Sequence, residues 1–433
     1  MDIISILTIV NALCAIFLQA LFPQKRHSIL IICSAIALLF VVQTQPLSVF
    51  LAGIPWDTIL MLFALTIFGE FIFGSNLFDW LIKVIAAFCK GKPRRLIVYV
   101  NIIVFVISSV LNNYQALLLV LPILVSIVKM MDNLNHRYIT LLFSSVLISS
   151  NLAGASTPIG DFPALYLLSQ KVISFGSYFL NATPIALIAE AAVIVVSVLV
   201  YGKCAVKTDL SGERMFVYNI NELYRNIKVD WKMLIPSIVC FAGMFVGWLT
   251  GVNPTVVSLL GMSLASIVIR VCSYSESKIK TLDSTVFVYF ISLFIIIASI
   301  QQTGVLLLIS QWLLLIENPT VLILVFSVAV VLVTGVVSAG PSTVVFFPIV
   351  ESIKQYYPDN VVITCFCLSI CAGSSLFLFS ATAGPLLTRI TEMAEIRVDN
   401  RKFLLSFNNY LLPGVIGAVI IFLSNLLYVF INL

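Results

Sequence analysis

Apolar runs of about 17–25 residues recur from one end of this chain to the other, each long enough to cross roughly 30 Å of hydrocarbon as a helix. Inside lipid the backbone has no water to bond to, so only helices and closed barrels survive there. The runs are continuously apolar and do not alternate with period two, which argues against a barrel. The expected fold class is therefore an all-α polytopic membrane protein. Composition agrees: the 433 residues are 61% hydrophobic and 10% charged, with mean hydropathy +1.13, against about 25% charged in an ordinary soluble domain. The first run, Ile3 to Leu21, lacks a basic leader and a small-residue cleavage site, so it reads as a retained span and not a signal peptide.

The spacing predicts about ten spans, at 3–22, 28–45, 56–74, 139–157, 184–202, 234–251, 254–271, 285–304, 361–381 and 404–430. Two longer apolar runs, 96–130 and 320–353, are interrupted by "LNNYQ" and "VSAGPST". Each is too long for one span, and each arm is short for a full crossing. Two short arms around a polar tip read as a re-entrant helical hairpin, with two tilted full spans as the alternative. Residues 75–90 and 386–402 read as amphipathic helices at the cytoplasmic interface, with Trp80 as an anchor.

Basic residues mark cytoplasmic loops, and with both termini outside, every Lys and Arg except Lys171 and Lys354 falls on the cytoplasmic side. The orientation expected is thus extracytoplasmic at both ends, in a bacterial inner membrane. Residues 203–233 form a cytoplasmic linker between two halves that look alike. "WDTILMLFALTIFGEFIFGSNLFDWLIKVI" (56–85) corresponds to "DSTVFVYFISLFIIIASIQQTGVLLLISQWL" (283–313), and "VLNNYQALLLVLPILVSIVK" (110–129) to "GVVSAGPSTVVFFPIVESIK" (335–354). With five spans and one hairpin per half, the second half starts on the opposite side of the membrane. Residues 1–202 (hairpin 96–130, broken helix 139–168) and 234–433 (hairpin 320–353, broken helix 361–390) read as two inverted-topology repeats, the plan of secondary transporters.

The broken helices carry the candidate chemistry. In "SSNLAGASTPIGDFPALYLL" (149–168), Gly154, Pro158, Gly160 and Pro163 oppose a continuous helix. An unwound stretch at membrane depth persists only inside protein or beside a wet cavity. Its free carbonyls can hold a cation, and the half-helix that follows offers N–H groups and a positive dipole. Asp161 adds a charge there; the plainer reading is a helix cap near the outer surface. Asn112, Asn113 and Gln115 fall at the first hairpin tip, and Ser338, Ser342 and Thr343 at the second. In the second break, Ser374, Ser375, Ser380 and Thr382 supply hydroxyls and no acid. Glu190, in the middle of an apolar span, is a candidate proton or cation carrier alongside Asp161, or a carboxyl hydrogen-bonded between helices. Glu70 is a weaker candidate near a cytoplasmic helix end.

Cys365, Cys367 and Cys371 lie in one apolar run and read as packing residues, although Cys367 and Cys371 share a helix face on which a soft metal has a place. Histidine occurs only as His27 and His136. No His, Cys and carboxylate cluster suggests an enzyme, and no phosphate-binding loop suggests an ATP-driven pump.

At "LFDWLIKVIAAFCKGKPRRL", "LNNYQALLLVLPI", "SSNLAGASTPIGDFPALY" and a weaker second-half pair, the chain resembles the ion transporter superfamily, with its arsenite-efflux, NhaD-type sodium/proton antiporter, citrate and dicarboxylate branches. The resemblance implies a scaffold plus a transport unit holding both hairpins and both broken helices. By matching position it places Asn112, Asn113, Asn151, Thr157, Gly160 and Asp161 opposite Ser338, Ser342, Thr343 and Thr382, with Na⁺ at Asn112, Asn151 and Asp161 as one arrangement. The chain departs from the pattern at the first tip, which is Asn-Asn where sodium/proton members often have Asp before Asn. The second tip, "SAGPST", lacks the usual Asn, and the last motif lacks a clear Gly-Ser. The function expected is secondary active ion transport by alternating access, coupled to Na⁺ or H⁺, moving a small inorganic or organic ion. Alternatives are sodium/proton antiport proper and a passive channel or membrane subunit of a larger complex. No cofactor beyond the coupling ion and no nucleic-acid partner is expected; the bilayer, a small ion and a candidate homodimer complete the partners.

Overall fold

The structure, a computed structural model, describes residues 3–22, 25–131, 134–201, 228–273, 284–305, 315–398 and 401–432, with residues 218, 222, 308, 311 and 313. Most of the expected linker, 203–233, lies outside the described residues.

The first half of the chain runs α1 (Ile3–Leu21), α2 (Arg26–Val41), α3 (Leu47–Ala52), α4 (Trp56–Gly74), α5 (Leu77–Cys89), α6 (Pro93–Ser108), α7 (Asn113–Lys129), α8 (His136–Ser156), α9 (Phe162–Ser169) and α10 (Phe175–Tyr201). The second runs α11 (Trp231–Leu249), α12 (Pro254–Ser273), α13 (Ser284–Gln302), α14 (Pro319–Val337), α15 (Ala339–Ile353), α16 (Asp359–Leu376), α17 (Gly384–Met393) and α18 (Phe407–Asn432). The fold is all-α and polytopic, as the apolar runs require. Eight of the described helices are long and apolar enough to cross a membrane, and shorter apolar helices accompany them.

The ends of these helices follow local chemistry. Asn112, Asn135, Asp161 and Asn318 accept backbone N–H groups as N-caps. Pro93, Pro163, Pro319 and Pro385 sit in first turns, where the missing N–H costs nothing.

Burial separates inner helices from outer ones. Residues 138–156 of α8 and 361–375 of α16 are buried without interruption, so these two form the centre of the bundle. By contrast α12 exposes Val256, Leu260, Leu264, Ile267 and Val271, a helical stripe that suits hydrocarbon and would not suit water.

Four expectations change. Residues 386–402 are not one amphipathic helix: α17 ends at Met393, and β1 (Arg397–Val398) pairs antiparallel with β2 (Arg401–Lys402). The expected span 184–202 belongs to a longer helix that starts at Phe175 and contains Pro184. The short helix α3 had no counterpart in the spacing. In the second interrupted run, α14 has 19 residues, about 28 Å of helix. That arm is of spanning length, unlike the 15-residue α15, so length alone does not separate a hairpin from paired spans.

Candidate functional site

The break between α8 and α9 is built from backbone close approach. A Cβ on Gly160 would stand 2.9 Å from Gly154 Cα, 2.9 Å from the Ser108 carbonyl oxygen and 3.0 Å from that of Gly154. A Cβ on Gly154 would collide with the Asn113 amide and lie 2.8 Å from Asp161 Cβ. The two glycines therefore let the end of α6, the start of α7 and the α8–α9 break meet at one point. Thr157 tightens it: its hydroxyl donates to the Ser109 carbonyl at 2.5 Å and accepts from Gly160 N–H at 3.2 Å.

Around that point the polar groups are buried. Asn113 is fully enclosed; its Oδ1 accepts from the Ser108 hydroxyl at 2.7 Å, while its Nδ2 has no hydrogen-bond partner. Asp161 is 6% exposed and caps α9 through Phe162 N–H at 2.8 Å. Among the described residues Asp161 is in no ion pair. The break thus gathers a carboxylate in no ion pair among the described residues, an unpartnered amide nitrogen and a helix N-terminus. The cap expected by the plainer reading is present, and it is buried.

Other first-half candidates divide. Asn112 is half-buried and caps Tyr114 N–H at 3.0 Å. Gln115 turns away from Asp161: its Nε2 donates to the Thr66 carbonyl at 3.1 Å and its amide lies over Gly69, tying α7 to α4. Asn151 points to the other half and donates to the Ser375 hydroxyl at 3.1 Å. Glu190 lies apart, on α10, where it accepts from the Ser149 hydroxyl at 2.8 Å. Glu70 is half-buried in the last turns of α4.

In the second half, residues 377–383 separate α16 from α17. The Ser380 hydroxyl lies 3.2, 3.0 and 2.8 Å from the carbonyl oxygens of Gly373, Ser374 and Phe377 and caps the frayed end of α16. Ser374 donates to its own helix at Cys371, and Thr343 donates to Ala339. Thr382 lies inside the break. At the second tip, Ser338 has φ 89° and ψ 159°, a region that favours glycine. Ser342 just beyond it is fully buried with a hydroxyl that has no partner. Cys365, Cys367 and Cys371 are buried free thiols in α16, and among the described residues no group of His, Cys, Asp and Glu is arranged to hold a metal.

Two tyrosines were not foreseen. Tyr178, the fourth residue of α10, donates to the Ala155 carbonyl at 2.8 Å, and Tyr410, the fourth residue of α18, donates to the Ser375 carbonyl at 2.8 Å. Each satisfies the next-to-last carbonyl of a broken helix. The next residues after those helices also match, Thr157 at φ −129°, ψ 154° and Phe377 at φ −125°, ψ 152°. The signal available in the sequence was a tyrosine early in the second helix after each break.

A cavity of about 490 Å³ lies between the start of α4, α9, α13 and α15, with Asp57, Gln170 and Gln301 among its polar lining. Its inner wall includes Tyr166, whose ring is 6.0 Å from that of Phe294 and 5.3 Å from that of Phe347. Asp161 is five residues before Tyr166, about 7.5 Å along the helix axis. Phe162 beside it stacks on Phe290 at 4.9 Å.

The sequence profile of CitMHS, described as citrate transporter, matches residues 13–371. An uncharacterized transporter of Mycobacterium tuberculosis is 26% identical over 254 residues, 58% of this chain and 57% of that protein, so the matched part spans little more than half of that relative. A 46 kDa membrane protein of Mycobacterium leprae is 24% identical over 363 residues, 81% of this chain and 82% of the relative. Magnetosome protein MamN of Paramagnetospirillum magneticum is 22% identical over 355 residues, 78% of this chain and 76% of the relative. With the profile covering most of an all-α membrane chain, this protein belongs to the citrate transporter (CitMHS) family.

Proposed function

We propose that this chain is a secondary active transporter of a bacterial inner membrane, working by alternating access, coupled to Na⁺ or H⁺, and carrying a small inorganic or organic ion. The observation that carries the reading is the convergence of Asn113, Gly154, Gly160 and Asp161 in a buried backbone break, with the Asn113 Nδ2 unpartnered and Asp161 in no ion pair among the described residues. A charge left alone at that depth is expensive unless a ligand or a proton shares it.

In this mechanism Asp161 takes the coupling cation, and the free Nδ2 of Asn113, a donor, suits a carboxylate or an anion beside it. The Ser342 hydroxyl and the start of α15 contribute from the second tip, where N–H groups suit an anion or a carboxylate. The matched tyrosine caps and matched break geometry support two repeats, 1–202 and 234–433, that are inverted in the membrane with both termini outside. The cavity beside Tyr166 is then the outer access route, and the ring group of Phe162, Tyr166, Phe290 and Phe294 separates it from Asp161. Sodium/proton antiport is the second reading, favoured by an acid that stands in no ion pair.

The test is flux in proteoliposomes loaded with a pH-sensitive dye, with Na⁺ or Li⁺ added outside. Sodium-driven proton movement supports antiport; movement of an added anion only in an ion gradient supports coupled anion transport. Asp161→Asn is expected to abolish coupling in either case while the protein remains folded. Wild-type coupled flux in that variant would remove Asp161 from the mechanism, and flux indifferent to every gradient would replace the transporter with a channel.

A further inference from the structure

Between Trp80 and Met131 the chain has no Asp or Glu, yet it carries Lys83, Lys90, Lys92, Arg94, Arg95 and Lys129. The structure gathers most of these cations where four helices end or begin. Lys90 and Gly91, with φ 49° and 72°, reverse the chain between α5 and α6. Lys129 closes α7, and Arg137 lies in the first turn of α8. The Tyr138 hydroxyl donates to the Pro93 carbonyl at 3.0 Å and so holds the start of α8 against the start of α6. Lys90, Arg94, Arg95, Lys129 and Arg137 are exposed, and among the described residues none of them is in an ion pair. No side chain caps the N-terminus of α6, so its positive dipole end adds to the same field.

An apolar groove starts beside this cluster. It runs between α5, α6 and α7, and every residue lining it is apolar, including Leu81, Ile85, Val100, Ile103, Ile123 and Ile127. Ile85 lies five residues before Lys90, Val100 five after Arg95 and Ile127 two before Lys129, so the groove begins within about 7.5 Å of the cations along each helix. Around it α6 exposes Ile102 and Val106, and α5 exposes Trp80 and Phe88, a surface for hydrocarbon with an aromatic ring at its boundary. Retention of basic loops on the cytoplasmic side accounts for the charge but not for an apolar groove next to it. An acidic peptide or free phosphate would use the cations and leave the groove open. A molecule with an anionic phosphate and an acyl chain satisfies both.

We propose that the α5–α6 elbow is a binding site for an anionic phospholipid, whose phosphate sits among Lys90, Arg94 and Arg95 and whose acyl chain lies in the groove between α5, α6 and α7. The lipid then ties α5 to the hairpin arms α6 and α7 at the membrane surface. This site is independent of Asp161, and its test needs no flux.

The experiment is native mass spectrometry of the purified full chain in detergent, mixed with phosphatidylglycerol or with phosphatidylcholine of the same acyl chains. The expected result is one phosphatidylglycerol retained about tenfold or more better than phosphatidylcholine. The triple variant Lys90→Gln, Arg94→Gln, Arg95→Gln should lose that preference. The double variant Lys232→Gln, Arg270→Gln, which discharges exposed cations of α11 and α12, should keep it. Ile103→Trp should weaken phosphatidylglycerol retention by filling the groove with the cations intact, and excess inorganic phosphate should leave the lipid bound. If the triple variant does not fold, Arg94→Gln alone and Ile103→Trp decide, and wild-type retention in both overturns the proposal. It is also overturned by equal retention of the two lipids, by wild-type retention in the triple variant, by an equal loss in the Lys232 and Arg270 variant, or by displacement with inorganic phosphate, which would mark a site for phosphate only.

Discussion

The side-chain amide of Asn151 donates to the Ser375 hydroxyl at 3.1 Å, joining the C-terminal part of α8 to that of α16 across 224 residues of sequence. Both residues are buried, so the bond forms where no water can replace it. It links the two broken helices directly beside the carbonyls that their breaks set free.

Asn151→Ala and Ser375→Ala should each lower stability, and the double variant should lose less than the sum, with a coupling of roughly 1 kcal/mol. Thermal unfolding of the four proteins in detergent measures it. Strict additivity would show that the two halves are not joined through this pair.

Gly160→Ala should destabilise the chain by about 2 kcal/mol or more, because its methyl would meet backbone atoms that cannot turn aside. Gly243→Ala in α11 is the control, since a Cβ there has nothing within 4 Å. Unchanged melting of the Gly160 variant would show that the break is looser than the contacts imply.

Tyr178→Phe and Tyr410→Phe each strand a buried carbonyl next to a helix break, at about 1–3 kcal/mol. The two losses should be alike, since the bonds have equal length and equivalent positions. Melting temperatures check this; a large difference would break the correspondence between the halves.

Ser338→Gly should raise stability by about 1 kcal/mol, because φ 89° with ψ 159° costs a side-chain-bearing residue that glycine avoids. Thermal unfolding reads the gain. A loss instead would mean that the Ser338 hydroxyl stabilises the tip by more than the strain.

The helices were legible because lipid demands long apolar runs, and the breaks were legible because Gly, Pro, Asn and Asp interrupt those runs. Residues 386–402 were misread for a local reason: Ile396 and Val398 are buried while Arg397 between them is exposed, a period of two that belongs to a strand. The short α3 carries too few residues for any periodicity to register.

The candidate site was legible only in part. Asp161, Asn113 and Gly160 were marked by motif and composition, and the structure brings them together with Gly154. Gln115 stood beside Asn113 in sequence yet faces α4, because adjacent residues on a helix point in different directions. Ser149, which bonds Glu190, and Asn101, which bonds Ser149, carried no local signal at all.

By itself the sequence determined that this chain must be a helical membrane protein, where its helices break and which acids are stranded in apolar surroundings, because hydrophobic length and backbone conformation are local properties. Only the tertiary structure decided which of those acids meets an unpartnered amide at a backbone break and which is held by a serine of a neighbouring helix. Those outcomes depend on contacts between segments tens to hundreds of residues apart, such as Gly154 against Asn113 and Asn151 against Ser375, and such pairings leave no periodic trace along the chain.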